Sequence, residues 1–232
     1  ILQREPLPEP KKPESRLYPD GGAWFRQKTF DANAMMSVLY NIRSKGGWHA
    51  HHETNGIFLA ALGERLLVNG GWLGPSQRPA SLQNTVTVND KDHRSNHGDG
   101  LKEGILGEDL AYGCGVSGRA LGDVSFARSL VHLEPFRGEA PYVVVCDRVA
   151  AAPGDTVQVH WHPATESEIQ SLENENGFSV LIDHHAETDK TALTLYVAPT
   201  PDVVEQKTVS SGAARDRRAG RHRKLIAQYP AN

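Results

Sequence analysis

The stretch WHAHHETN, Trp48–Asn55, gathers three imidazoles, a carboxylate and a carboxamide within a few positions. Imidazole and carboxylate together can move a proton near neutral pH or hold a metal ion. If the stretch is extended, its side chains alternate between two faces. His49, His51 and Glu53 then share one face, and Ala50, His52 and Thr54 share the other. Such spacing can aim two imidazoles at one ion or at one substrate proton. Gly46-Gly47 and Gly70-Gly71 bracket the region. One histidine at a strand end is ordinarily a satisfied polar group, whereas His49, His51 and His52 beside Glu53 form a cluster. Zinc wants about four donors, so a metal here needs ligands from elsewhere in the chain. An H-x-H pair near a glutamate also suggests a cupin, but Glu53 follows His51 too closely for that pattern.

The elements that must position this block read as strands. Met35–Arg43 alternates Met36, Val38, Tyr40 and Ile42 against Met35, Ser37, Leu39 and Asn41, which predicts a strand with one deeper face. Ile57–Leu62 and Leu66–Val68 are apolar. Composition alone allows helix or strand there, but the Gly63-Glu64 turn and the β-branched end at Val68 favour a hairpin. NTVTVND (Asn84–Asp90) alternates strictly, with Val86 and Val88 inward. RLYPDGGAWFRQ holds a turn between two short extended pieces. Val124–Leu133, Tyr142–Arg148, Thr156–His162, Phe178–Asp183, Ala192–Ala198 and Lys224–Tyr229 are further strand candidates. With turn signals between them and no long amphipathic helix, they predict an all-β chain folded as an antiparallel β-sandwich. Lys91–Lys102 reads as a polar loop, whose His93 and His97 can reach a groove.

At 232 residues the chain can bury a core in one domain. A formal net charge of −3 argues against a nucleic-acid partner. No apolar run approaches the roughly 18 residues of a membrane span. Pro6, Pro8, Pro10 and Pro13 mark residues 1–16 as a linker, leaving 17–232 as the domain. The chain starts at Ile1 without a signal-peptide core, and its last strand stops shortly after Tyr229, so it reads as a piece of something longer. Cys114 and Cys146 are too few for a disulfide framework and read as free thiols rather than a bridge. Ser210–Lys224, with Arg215, Arg217, Arg218, Arg221 and Arg223, reads as a solvated basic loop or as a patch for a polyanion. His160-Trp161-His162 reads as a packing pair at a sheet edge, and His184-His185 as a solvated turn.

Several blocks, in order, resemble the C-terminal β-sandwich region of the heparinase II/III-like polysaccharide lyases: WHAHHETN, ALGERLLVNGG (Ala61–Gly71), QNTVTVND (Gln83–Asp90), YVVVCDRV (Tyr142–Val149) and VHWHP (Val159–Pro163). The resemblance implies a supersandwich-like β domain that follows an N-terminal α/α toroid, a part absent from this chain. It implies cleavage of uronate-containing polysaccharides by β-elimination, outside the cytoplasm or in the periplasm. It gives His49 the active-site role and His51 a ligand role toward a structural zinc. Trp48, Asn55, His93 and His97 are then the candidate substrate contacts, with Asn55 and Glu53 also bracing the cluster. Two positions depart from the family. Asn69 replaces the aspartate ligand and Gln83 the histidine ligand, and carboxamides are poorer zinc donors. Either the zinc is lost, or His52 or Glu53 takes over ligation. The rival expectation is a non-catalytic carbohydrate-binding or structural module.

Overall fold

The computed structural model describes residues 14–29, 31–44, 50–68, 79–135, 139–140, 142–164, 169–174, 177–185, 190–210 and 221–231. Trp48, His49, Asn69 and the 211–220 part of the basic segment lie outside these residues.

The strands in chain order are β1 (Arg16–Tyr18), β2 (Gly22–Arg26), β3 (Met36–Tyr40), β4 (Gly56–Ala61), β5 (Glu64–Leu67), β6 (Val86–Val88), β7 (Leu101–Leu106) and β8 (Leu110–Val116). They continue as β9 (Ser125–Leu133), β10 (Tyr142–Ala150), β11 (Thr156–Trp161), β12 (Gln170–Asn174), β13 (Gly177–His185), β14 (Lys190–Val197), β15 (Val203–Ser210) and β16 (Arg221–Pro230). The only helical turn among the described residues is a 3-10 turn at Ala80–Leu82. Every pairing among the described residues is antiparallel, and the sheets run β1-β2-β3-β4-β5, β10-β9-β8-β7, β15-β16-β11-β6 and β12-β13-β14. The expected all-β antiparallel fold is therefore present. Among the described residues no sheet closes on itself, which does not suit a closed cupin barrel.

Strands β2 and β3 pack against β7 and β8, so the first two sheets face each other. The first sheet also joins the third at a corner, where Leu67 bridges Pro163 and the Val68 N–H bonds the His162 carbonyl at 2.9 Å. Phe25 and Leu39 from the first sheet, Phe126 and Leu130 from the second, and Val86, Trp161 and Leu225 from the third belong to one core cluster.

The period-2 pattern explains most of this. On β3 the deeper face carries Met35, Ser37, Leu39 and Asn41. The β4–β5 hairpin turns at Leu62-Gly63, one residue earlier than expected, with φ of 55° and 76°. Positive φ at both central residues matches the right-handed twist of the strands. Arg16, assigned to the linker in the sequence reading, instead pairs with Trp24 in β1, and the Ser15 hydroxyl accepts the Arg26 N–H at 2.9 Å.

Other expectations are corrected. The β7–β8 hairpin, β12 and β15 were not anticipated. Glycines interrupt the β7–β8 pattern because neighbours come close there. A Cβ on Gly113 would stand 3.0 Å from that of Ala23, and one on Gly115 would collide with Asn55 Oδ1. His160 and His162 are not at a sheet edge: β11 lies between β16 and β6, and both rings are buried, with Trp161 between them. His184 and His185 lie in β13 rather than in a turn. The basic segment ends inside β16, where His222 and Lys224 are buried. Cys114 and Cys146 are both free and oppose Ser129 from its two sides. Two strand spacings, about 9–10 Å, separate them, which no disulfide spans.

Candidate functional site

The histidine block is not a strand where it is described. Residues 50–55 form a bend and a turn that lead into β4, so the face alternation expected for His51, His52 and Glu53 does not apply. The Gly56 N–H bonds the Glu53 carbonyl at 2.7 Å. Asn55 takes φ 57°, a left-handed conformation that asparagine tolerates better than most residues. Its carboxamide oxygen accepts from Asn41 Nδ2 at 2.6 Å, and Asn41 Nδ2 also reaches the Val116 carbonyl at 2.9 Å. The Thr54 carbonyl accepts from the Thr85 hydroxyl at 2.6 Å. Polar groups from β3, β8 and the approach to β6 thus pin the inner half of the turn, and His51 and His52 are left half-buried on its outer half.

Asn55 is wholly buried, so its amide braces the turn and offers no open face to a sugar. This corrects its expected substrate contact, because the bracing bonds consume the group. His93 is corrected for the same reason. It is 3% exposed, with Nε2 2.8 Å from the Val86 carbonyl, and burial pushes its pKa down to about 4. His97 is half-buried in the polar loop, with Nδ1 2.6 Å from Ser95 Oγ, and keeps a place near the surface.

His51 and Gln83 do converge. Gln83 Nε2 lies 3.1 Å from His51 Nδ1, and a carboxamide nitrogen can only donate, so this ring nitrogen accepts. That amide N–H occupies the Nδ1 lone pair of His51, which leaves Nε2 as the only ring nitrogen that could reach a metal. No group of three His, Cys, Asp or Glu side chains suited to a metal occurs among the described residues. Glu53 is buried, and its charge adds to desolvation in raising the Tyr40 pKa to about 12. His52 donates from Nδ1 to Asp92 Oδ2 at 2.8 Å. That hydrogen bond raises the His52 pKa against the opposing effect of burial. Asp92 was absent from the sequence reading.

Behind the turn lies the group that sequence reasoning missed most clearly. On β9 the inward column is Phe126, Arg128, Leu130 and His132. Arg128 is fully buried. Its Nε and Nη2 hold the two Asp147 oxygens at 2.6 and 2.7 Å, and its Nη1 donates to the carbonyls of Asn55 at 3.0 Å and Asn84 at 2.7 Å. The guanidinium also lies 5.3 Å from the Phe126 ring centroid and 5.6 Å from that of Trp161. A cation in an apolar column was the signal in the sequence, and Asp147 of YVVVCDRV is its direct cross-strand neighbour.

Asn84 completes the support. Its Nδ2 donates to the carbonyls of Ile57 at 2.9 Å and Val68 at 2.7 Å, and its Oδ1 accepts the His162 N–H at 2.6 Å. Asn84→Ala leaves three buried main-chain groups without their partner, for an expected loss of about 2–4 kcal/mol. Urea denaturation measures it, and an unchanged midpoint would contradict this role.

The family model described as Heparinase II/III-like, C-terminal, matches residues 10–230. The chain belongs to this family. Among solved structures, this heparinase II/III-like domain is similar to a mutant of the heparan sulfate lyase HepC from Pedobacter heparinus, with a TM-score of 0.62 and 15% identity. The match covers 98% of this chain and 38% of that one, and at this identity it shows a shared fold. No curated protein matches the chain. None of the helices among the described residues is long and apolar enough to cross a membrane.

Proposed function

We propose that this domain forms one wall of the cleft of a polysaccharide lyase that cleaves uronate-containing chains by β-elimination. A base takes the proton at C5, the C4–O4 bond breaks, a C4=C5 double bond forms, and O4 leaves with a proton. The C5 proton is poorly acidic beside a carboxylate, so donors that neutralise that carboxylate lower the barrier. The observation that carries the reading is the family match over nearly the whole chain, with the histidine turn kept at the surface by buried Asn55, Asn84 and Arg128.

In this reading His49 acts on the reacting sugar and Trp48 and His97 line its path. An N-terminal helical domain completes the cleft, and the enzyme works outside the cytoplasm or in the periplasm, where such polymers are met. The His51–Gln83 hydrogen bond takes the place of the family's zinc.

The test is the ultraviolet absorbance of unsaturated uronate, released by the protein at its natural length from heparan sulfate, chondroitin sulfate, alginate or ulvan. His49→Ala is expected to lower turnover about 100-fold or more. No unsaturated product from any of the four polymers would sink the proposal.

The His51–Gln83 pair also favours a second reading, a binding module without catalysis. Glycan binding that persists in His49→Ala, with no turnover at natural length, would select it.

A further inference from the structure

We propose that His52, oriented by Asp92, is a sugar-contacting residue of this cleft wall and presents its Nε2 to the uronate-bearing chain. The inference rests on the lyase reading above.

Its ground is the way Asp92 is held. Asp92 Oδ1 accepts the backbone N–H of Ala80 at 2.7 Å and of His93 at 2.9 Å, and Oδ2 accepts His52 Nδ1. Three N–H groups converge on one carboxylate. The next residue, His93, is anchored in the interior through Val86. An ordinary surface ion pair leaves both partners free to swing. Here the backbone fixes the acid, and the acid fixes the ring. With Nδ1 turned toward the protein, Nε2 lies at the far corner of the imidazole, and 35% of the side chain is exposed.

The adjacent ring obeys the same rule, since His51 is tethered through Nδ1 by Gln83. The turn therefore offers two neighbouring imidazoles whose orientations are set from behind. Preorganised rings bind a sugar without the cost of ordering them. The Asp92 side chain is 43% exposed, and the three N–H groups it accepts offset its charge toward an anionic sugar. The ligand class is an acidic saccharide that presents carboxylate and hydroxyl oxygens.

The experiment is a long-range nitrogen–proton NMR titration of the histidine rings in the 232-residue chain, with oligosaccharides of heparan sulfate, chondroitin sulfate, alginate and ulvan added in turn. The expected result is a saturable shift of the His52 Nε2 signal with at least one of them. His52→Ala should weaken that binding about tenfold or more, and Asp92→Asn should weaken it by a smaller factor. Saturable binding that leaves His52 unmoved, or no binding of any of the four, overturns the inference. A lyase assay at natural length separates the two failures. Turnover with an unchanged kcat/KM in His52→Ala removes His52 and keeps the lyase. No turnover, with His52 still shifting, removes the lyase and keeps the contact. Thermal melting of His52→Ala should stay within a few degrees of the parent, because the ring is part-exposed and outside the core.

Discussion

Arg128→Ala is expected to cost about 2–4 kcal/mol of folding stability, because it removes a fully buried side chain, takes the donor from the Asn55 carbonyl and unpairs the part-exposed Asp147. A domain of this size has about 5–15 kcal/mol in total, so the variant should be barely folded or aggregate on expression. The loss has two separable parts. One is the bidentate pair with Asp147, and the other is the pair of donations to the carbonyls of Asn55 and Asn84. A buried ion pair exchanged for apolar residues of similar volume is often neutral. The double variant Arg128→Met with Asp147→Leu therefore removes the first part and keeps the second. It should fold, yet remain about 1 kcal/mol or more below the parent, because the Asn55 carbonyl loses its Arg128 donor and the Asn84 carbonyl keeps only the Ile57 N–H at 3.2 Å. Urea unfolding of the single and double variants measures both. A double variant as stable as the parent would mean that Arg128 serves only its salt bridge. The turn that carries His51 and His52 should then keep its shape in that variant.

Acid is expected to unfold this domain steeply below about pH 6.5. Burial lowers the pKa of His93 and His132 to about 4, and lowers His160 and His162 well below the ordinary value. Their rings are nearly sealed: Ser37 Oγ meets His132 Nδ1 at 2.8 Å, Thr87 Oγ1 meets His160 Nε2 at 2.7 Å, and His162 Nδ1 meets His222 Nε2 at 2.8 Å. In the unfolded chain the same imidazoles take a proton near pH 6.5. Above that pH both states are neutral and the stability is fully present. As pH falls toward the folded values, the unfolded chain binds more protons and stability drops. Each proton is worth about 1.4 kcal/mol per pH unit, so four give a slope of about 5 kcal/mol per unit near pH 5. His52 acts in the opposite sense, since its raised pKa contributes stability that is lost as pH rises. It is part-exposed and screened, so its share is small. Urea midpoints between about pH 7.5 and about pH 5 test this. A flat profile would show that the rings are protonated or hydrated in the folded chain.

Local pattern made the fold class and most strands legible. Period-2 alternation located β3 and β6 because a strand's faces are set by the identities of neighbouring residues, and turn signals bounded β9, β10 and β11. The ordered motif blocks identified the family for the same reason: they are contiguous runs. Strand β15 and the β7–β8 hairpin escaped notice, the hairpin because its glycines answer to Ala23 and Asn55 across the sandwich and not to their own neighbours. The site divided along the same line. The histidine cluster, Glu53, Asn55 and Gln83 are visible in the sequence as donors and acceptors. Which of them face solvent is a property of the packing. Burial turned Asn55 and His93 into supports, and the meeting of distant segments paired His51 with Gln83, His52 with Asp92 and Arg128 with Asp147. A sequence carries the chemistry of each side chain. Only the tertiary structure decides its partner, because a hydrogen bond depends on a distance of about 3 Å that separation along the chain does not reveal.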